Sequence, residues 1–206
     1  MVADARTTAF GQLAGSSITS ENGGTYFGAS AGQNNTTGAT NVAVGRSAMY
    51  TLTTGSSNVA VGFDALYYSN GGDNVAIGSQ AAFGNANFNY QTAIGFNSLI
   101  AATGGNNTGI GGNSGYTITT GTYNSFLGYD AGHNASQLVS ATNSMALGYG
   151  TYTTASNTIV LGNTSVVGLY TSANILRWNP TLVAKNSTGT VAASAIVSGT
   201  ITSLSS

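Results

Sequence analysis

Charge is what this sequence most conspicuously lacks. Asp, Glu, Lys and Arg make up 4% of it, against roughly a quarter of an average globular chain, so solubility falls to Ser, Thr, Asn and Gly. Between Ser47 and Leu176 the formal charges are Asp64, Asp73 and Asp130 alone. A net charge of -1 supplies no basic stripe with which to hold nucleic acid or an anionic membrane. Cysteine is absent, which excludes a disulfide framework and a thiolate metal site and leaves the redox compartment open. No run approaches the ~18 consecutive apolar residues of a membrane helix. The opening MVADARTTAFGQ has no basic stretch followed by an apolar one, so no cleavable export signal is expected there.

Low charge with 30 glycines would also suit a disordered linker. The spacing of the apolar residues argues otherwise. Asn41-Val42-Ala43-Val44-Gly45 returns as Asn58-Val59-Ala60-Val61-Gly62. The glycine that closes each such triplet recurs as Gly11, Gly28, Gly45, Gly62, Gly78, Gly95, Gly111, Gly128, Gly148 and Gly162, at steps of 17, 17, 17, 16, 17, 16, 17, 20 and 14. The last two steps compensate, three residues gained and then three lost. A fixed period in this range marks a solenoid, in which each repeat is one turn that cannot bury its apolar face alone.

Within the repeat, the residue before the marker glycine is always large and apolar, from Phe10 and Phe27 through Val44, Val61, Ile77, Ile94 and Ile110 to Leu127, Leu147 and Leu161. The residue before that is mostly Ala, and the next one back is mostly Val or Thr. This alternation has the period of two of a short strand. Three positions after the marker the residues are again small (Ala31, Ala48, Ala65, Ala81, Ser98, Ser114, Ala131), as a second strand or a corner over a narrow interior requires. Loops follow, clearest as Thr-Thr-Gly at 36–38, 53–55 and 119–121. Seventeen residues are too few for a helix pair, and the Gly, Val, Ile and Thr content favours strands. The expected fold is therefore an all-β parallel β-solenoid of about ten turns over residues 1–166, a rod roughly 45 to 50 Å long at the inter-strand spacing of ~4.8 Å.

Asn opens the motif as Asn41, Asn58, Asn74, Asn107, Asn124 and Asn157, with Gln91 at one turn. Stacked amides passing hydrogen bonds from turn to turn are expected, with Gly45, Gly62, Gly78, Gly95, Gly111 and Gly128 as the matching glycine column. Calcium-binding rolls use nonapeptides rich in Asp, a pattern this sequence does not have. No metal or cofactor is expected.

The pattern Asn-x-Ala-Val/Ile-Gly-x-x-Ala-Leu followed by Thr-Thr-Gly resembles the repeats of trimeric autotransporter adhesin heads and, more closely in period, those of phage tail fibre proteins. The resemblance covers residues 7–166, and NTIVLGNTSV at 157–166 looks like the segment that closes such arrays. It implies a left-handed roll, three copies side by side, and a place on a virion surface or, alternatively, a bacterial cell surface. In many of those proteins a self-cleaving chaperone domain with a Ser-Lys pair follows, and nothing in this sequence matches it.

A narrow coil gives an independent reason to expect partners. A lone rod would leave its flat faces in water, and the Ala column two before the marker would let neighbouring rods approach closely. Repeats begin by residue 7, so an uncapped sheet edge is expected at the N-terminal end. Another virion protein, or the tail of the next copy in an end-to-end fibre, would cover it. Residues 167–206 break the period, carry Trp178-Asn179-Pro180 and run into TVAASAIVSGTITSLSS, which suggests a cap or connector and a strand-forming tail.

Catalytic side chains are scarce. His133 is the single imidazole, and Asp64 and Asp130 share a column ~19 Å apart by the strand spacing, too far for a glycosidase pair. GGNNTGIGG at 104–112 is followed by no Lys-Ser/Thr, so it is repeat composition rather than a phosphate loop. No enzyme is expected. Tyr67, Tyr68, Tyr90, Tyr123 and Tyr129 fall in loop or outer positions, where they can stack on a host-surface glycan or cover crevices and intersubunit seams. An ice-binding face wants Thr-x-Thr on every turn, and here the Thr pairs are adjacent and missing from several turns.

Overall fold

A computed structural model describes residues 6–20, 23–84 and 87–166 of the chain. Ten three-residue strands recur along them: β1 (Thr8–Phe10), β2 (Thr25–Phe27), β3 (Val42–Val44), β4 (Val59–Val61), β5 (Val75–Ile77), β6 (Thr92–Ile94), β7 (Thr108–Ile110), β8 (Ser125–Leu127), β9 (Met145–Leu147) and β10 (Ile159–Leu161). They form one parallel sheet in chain order. Like lies on like, as in Val42 on Val59, Ala43 on Ala60 and Val44 on Val61. The chain is an all-β parallel β-solenoid, with no helix among the described residues. Ten strands delimit nine complete turns, one fewer than the count of marker glycines suggests. The expected cap and tail at 167–206 lie outside the described residues.

Each turn carries one strand. The small residue three after the marker sits at a tight corner, not on a second strand. Backbone hydrogen bonds run along the axis, as from Val42 N to Asn58 O and from Gly45 N to Phe27 O, both 2.8 Å. Corners are turned with left-handed backbone at up to three non-glycine positions per turn, for example Ser47, Met49 and Ser57 at φ 57, 54 and 60°. Such residues are uncommon and cost about 1 kcal/mol or more each, a cost offset by the axial hydrogen bonds that repeat at every turn.

The interior reverses the expected assignment of small and large. A three-residue strand turns one side chain in and two out, and the middle one, Ala43, Ala60, Ala76 or Ala93, is wholly buried. It faces the corner column: a β-carbon on Gly109 would lie 2.6 Å from Ser98 Oγ and 2.9 Å from Ser114 Oγ. Two small columns facing one another hold the coil narrow. Met49, Leu66 and Leu99 from the next position, with Ile18, Leu52 and Ile118 from the far corner, fill what remains. The Ala column is therefore core and cannot be the seam between rods. The large residues beside the marker glycines point outward, half-buried at Val44 and Val61 and more exposed at Phe10, Phe27, Leu127 and Leu161.

Candidate functional site

The Asn column lies inside the coil, wholly buried at Asn41, Asn58, Asn74 and Asn107. Asn58 donates its backbone N–H and its Nδ2 to Asn41 Oδ1 at 2.9 and 3.1 Å. Asn74 repeats both bonds to Asn58 Oδ1 at 3.0 and 2.9 Å. The second hydrogen of each Nδ2 goes to a loop carbonyl, Gly55 from Asn41, Gly71 from Asn58 and Phe88 from Asn74. Asn124 rests on Asn107 in the same way, and Ser144 N closes the run on Asn124 Oδ1. The amide oxygen and nitrogen of each of these buried asparagines thus find partners along the axis, which is what a buried polar group needs.

Two turns depart from this. Gln91 is one methylene longer; its Nε2 reaches Gly104 O at 2.6 Å, and its Oε1 is buried without a partner. Asn157 does not join the column. Counted back from Gly162, the ladder position is Thr158, which donates its N–H to Ser144 Oγ at 3.3 Å. Asn157 lies one residue earlier on the exposed side and accepts from Asn143 Nδ2 at 2.9 Å.

Gly45, Gly62, Gly78, Gly95, Gly111 and Gly128 all take φ between 129 and 138°, a region that side chains rarely enter. At Gly62 space forbids a side chain as well, because a β-carbon would stand 2.5 Å from Gly78 O. These glycines, like the Asn column, are scaffold.

The tyrosines do not form one surface. Tyr67 is half-buried in an aromatic cluster, stacked on Tyr50 at 5.0 Å, edge to Tyr68 at 4.5 Å and tilted against Phe83 at 5.4 Å. Burial raises the pKa of its phenol above the usual value, with Tyr68, Tyr50 and Asp64 adding to the shift. Tyr90 and Tyr123 stand 61% and 62% exposed on one column, two turns or ~10 Å apart. Tyr129 occupies another column and stacks on Tyr149 with ring centres 6.1 Å apart. Tyr67 and Tyr68 thus belong to one cluster, and the other three offer open ring faces.

Arg46, Asp64 and Asp130 have local partners. Arg46 lies over the Phe63 ring at 4.4 Å. Burial raises the pKa of Asp64 against the opposing effects of Arg46 and a Ser47 hydrogen bond. Asp130 Oδ1 accepts from Asn113 Nδ2 at 2.9 Å and meets His133 Nδ1 at 3.0 Å. Among the described residues no three His, Cys, Asp or Glu side chains come together as a metal would require. No helix there is long and apolar enough to cross a membrane.

What sequence reasoning missed is the outer face of the sheet. Val59 and Val61, Val75 and Ile77, Thr92 and Ile94, Met145 and Leu147, and Ile159 and Leu161 point outward in pairs, giving an uncharged, largely apolar stripe along ten strands. Their hydrophobicity hid this, because large apolar residues are ordinarily placed inside. No family model, curated protein or solved structure matches this chain.

Proposed function

We propose that this chain is a non-enzymatic structural fibre protein, a phage tail fibre or spike segment in which three copies pack side by side as left-handed rolls and which attaches to host-surface glycan. The outward apolar stripe carries this reading. Soluble monomers rarely expose contiguous apolar surface beyond a few hundred Å², whereas a face repeated at every ~4.8 Å step suits a partner with the same step, and a second and third copy of this chain have it. Among the described residues β1 and β10 are the ends of the sheet, which suits end-to-end contact or a further virion protein. The scarcity of catalytic groups and the exposed rings of Tyr90, Tyr123 and Tyr129 agree with a binding rather than a catalytic role.

Sedimentation velocity on the purified chain tests the assembly. A species of three times the 20.5 kDa chain mass is expected, and a monomer at micromolar concentration overturns the side-by-side packing. Electron micrographs of the source material then separate a particle-attached spike from a cell-surface filament.

A further inference from the structure

The array steps by 16 or 17 residues except at the two steps after Gly128, of 20 and 14 residues, and the exception has a definite place. Pairing keeps its ordinary register up to Ala131, whose carbonyl accepts from Gly115 N at 2.6 Å. By Val139, whose carbonyl accepts from Thr119 N at 2.8 Å, three residues have been added. The extra corner folds down onto the shortened turn: Leu138 N donates to Thr153 O at 2.8 Å, Thr153 N to Gln137 Oε1 at 2.8 Å and Gln137 Nε2 to Thr153 Oγ1 at 2.9 Å. A long turn is thus stacked on a short one. Beside this step lies a cleft of about 720 Å³, lined by Asp130, His133 and Asn134 of the long turn, Tyr149 and Tyr152 of the short one and Asn163 beyond. Its volume falls within the ~300 to 1,000 Å³ of small-molecule sites, and insertions in repeat arrays collect on the binding face.

We propose that this cleft binds a neutral saccharide unit. The inference rests on the attachment reading above and gives it a location. Tyr149 and Tyr152 supply flat rings, and Tyr129, stacked on Tyr149, continues the aromatic wall past the rim. Sugar hydroxyls need donors and acceptors set at fixed points. Asp130 is held by Asn113 and His133, the His133 ring packs on Tyr116 at 4.4 Å, and Asn134 Oδ1 is anchored by Ser136 N at 2.8 Å. The atoms left over, Asp130 Oδ2, His133 Nε2, Asn134 Nδ2 and the two tyrosine hydroxyls, make no hydrogen bond among the described residues. Groups fixed on one side and unengaged on the other are preorganised, which lowers the ordering cost of binding. No Lys or Arg lines the cleft and one carboxylate does, so phosphate, sulfate and sialic acid find no ammonium or guanidinium partner there.

Saturation-transfer NMR on the full chain tests this with lactose, maltose and N,N′-diacetylchitobiose as neutral probes and sialyllactose as the anionic one. Binding of at least one neutral probe is expected. Asn134→Ala and Tyr152→Ala should weaken it by about tenfold, the loss of one or two ligand hydrogen bonds. Tyr152→Phe, which keeps the packing, should weaken it less, and Tyr90→Ala and Tyr123→Ala should leave it unchanged. Circular dichroism of each variant excludes misfolding as the cause. Three results overturn the proposal: no neutral probe binds, sialyllactose binds better than lactose, or Tyr90→Ala and Tyr123→Ala abolish binding while the cleft variants do not. The third leaves glycan attachment standing at another column. A trimer on sedimentation of the same sample leaves the fibre reading standing in all three.

Discussion

Phe126 occupies the space that a side chain on Gly132 would need: a β-carbon built there collides with the ring. The turn before answers in kind, since a β-carbon on Gly115 would stand 2.9 Å from the same ring. Tyr26 repeats the arrangement between Gly15 and Gly32, and its hydroxyl accepts from Asn35 Nδ2 at 2.6 Å, so the far corner carries Asn where three other turns carry Ile18, Leu52 and Ile118. In three turns the strand centre is Ala and the position six residues on is Met or Leu, as with Ala43 and Met49, Ala60 and Leu66, and Ala93 and Leu99. Large and small have been exchanged across the interior while the filled volume is kept.

This exchange predicts a strong coupling. Phe126→Ala alone should cost about 3 to 5 kcal/mol by leaving a cavity. Gly132→Leu alone should cost about 3 kcal/mol from overpacking and from its φ of 74°. The double variant restores the pairing seen at Ala60 and Leu66 and should be more stable than the sum of the singles by at least about 1 kcal/mol. Chemical denaturation of the four chains measures the coupling, and simple additivity would contradict the packing account.

Gln91 points to a stabilising change. Its Oε1 is buried without a partner, whereas Asn58 and Asn107 each use the carbonyl oxygen for two bonds to the next turn. Gln91→Asn should restore that acceptor and gain about 1 kcal/mol. For a chain of this size the melting temperature should rise by about 2 to 4 °C. A lowered melting temperature would mean that the Gln91 Nε2 bond to Gly104 O is worth more than the missing acceptor.

Asp64 gives the stability a pH dependence of known sign. Burial raises its pKa above the ordinary 3.8 even though Arg46 and Ser47 pull it down, so the folded chain holds this proton more tightly than the unfolded one. The contribution favours folding below pH 3.8 and is lost as pH rises through the higher folded value. Asp64→Asn should therefore be at least as stable as the parent at neutral pH, and its denaturation midpoint should decline less between pH 3 and 6. A steeper decline in the variant would reverse the assignment.

Strand positions and register were legible because the marker glycines count them, and β3 against β4 pairs residue for residue as the repeated NVAVG implies. The direction of the strand was not legible. Hydrophobicity alone puts Val61 inside and leaves Ala60 for a seam, yet where the facing corner already carries Leu66 the strand centre has room for Ala and not Val, so size outranked hydrophobicity. Residue identity misled at Asn157, where the ladder position counted from Gly162 is Thr158. The compensating steps after Gly128 were visible as numbers, but nothing local marks Gln137 as the partner of Thr153. The cleft, which depends on that pairing, emerges only in three dimensions.

Because the strand centre is core and its flanks are surface, adjacent residues should respond oppositely to the same change. Ala60 is wholly buried, so Ala60→Lys puts an unpaired charge into a space with no room for it and should prevent folding. Val61 lies between Val44 and Ile77 on the outward stripe, where a lysine can send its ammonium to water in a single rod. Val61→Lys should leave the β-sheet circular dichroism intact and alter the stability of an isolated rod by only about 0.5 kcal/mol. In a side-by-side trimer the same ammonium enters each seam, and burying unpaired like charges there should split the assembly into monomers. Sedimentation velocity reads the difference directly. A Val61→Lys chain that stays trimeric would move the seam off this face, while a folded Ala60→Lys chain would contradict the inward placement of the alanine column.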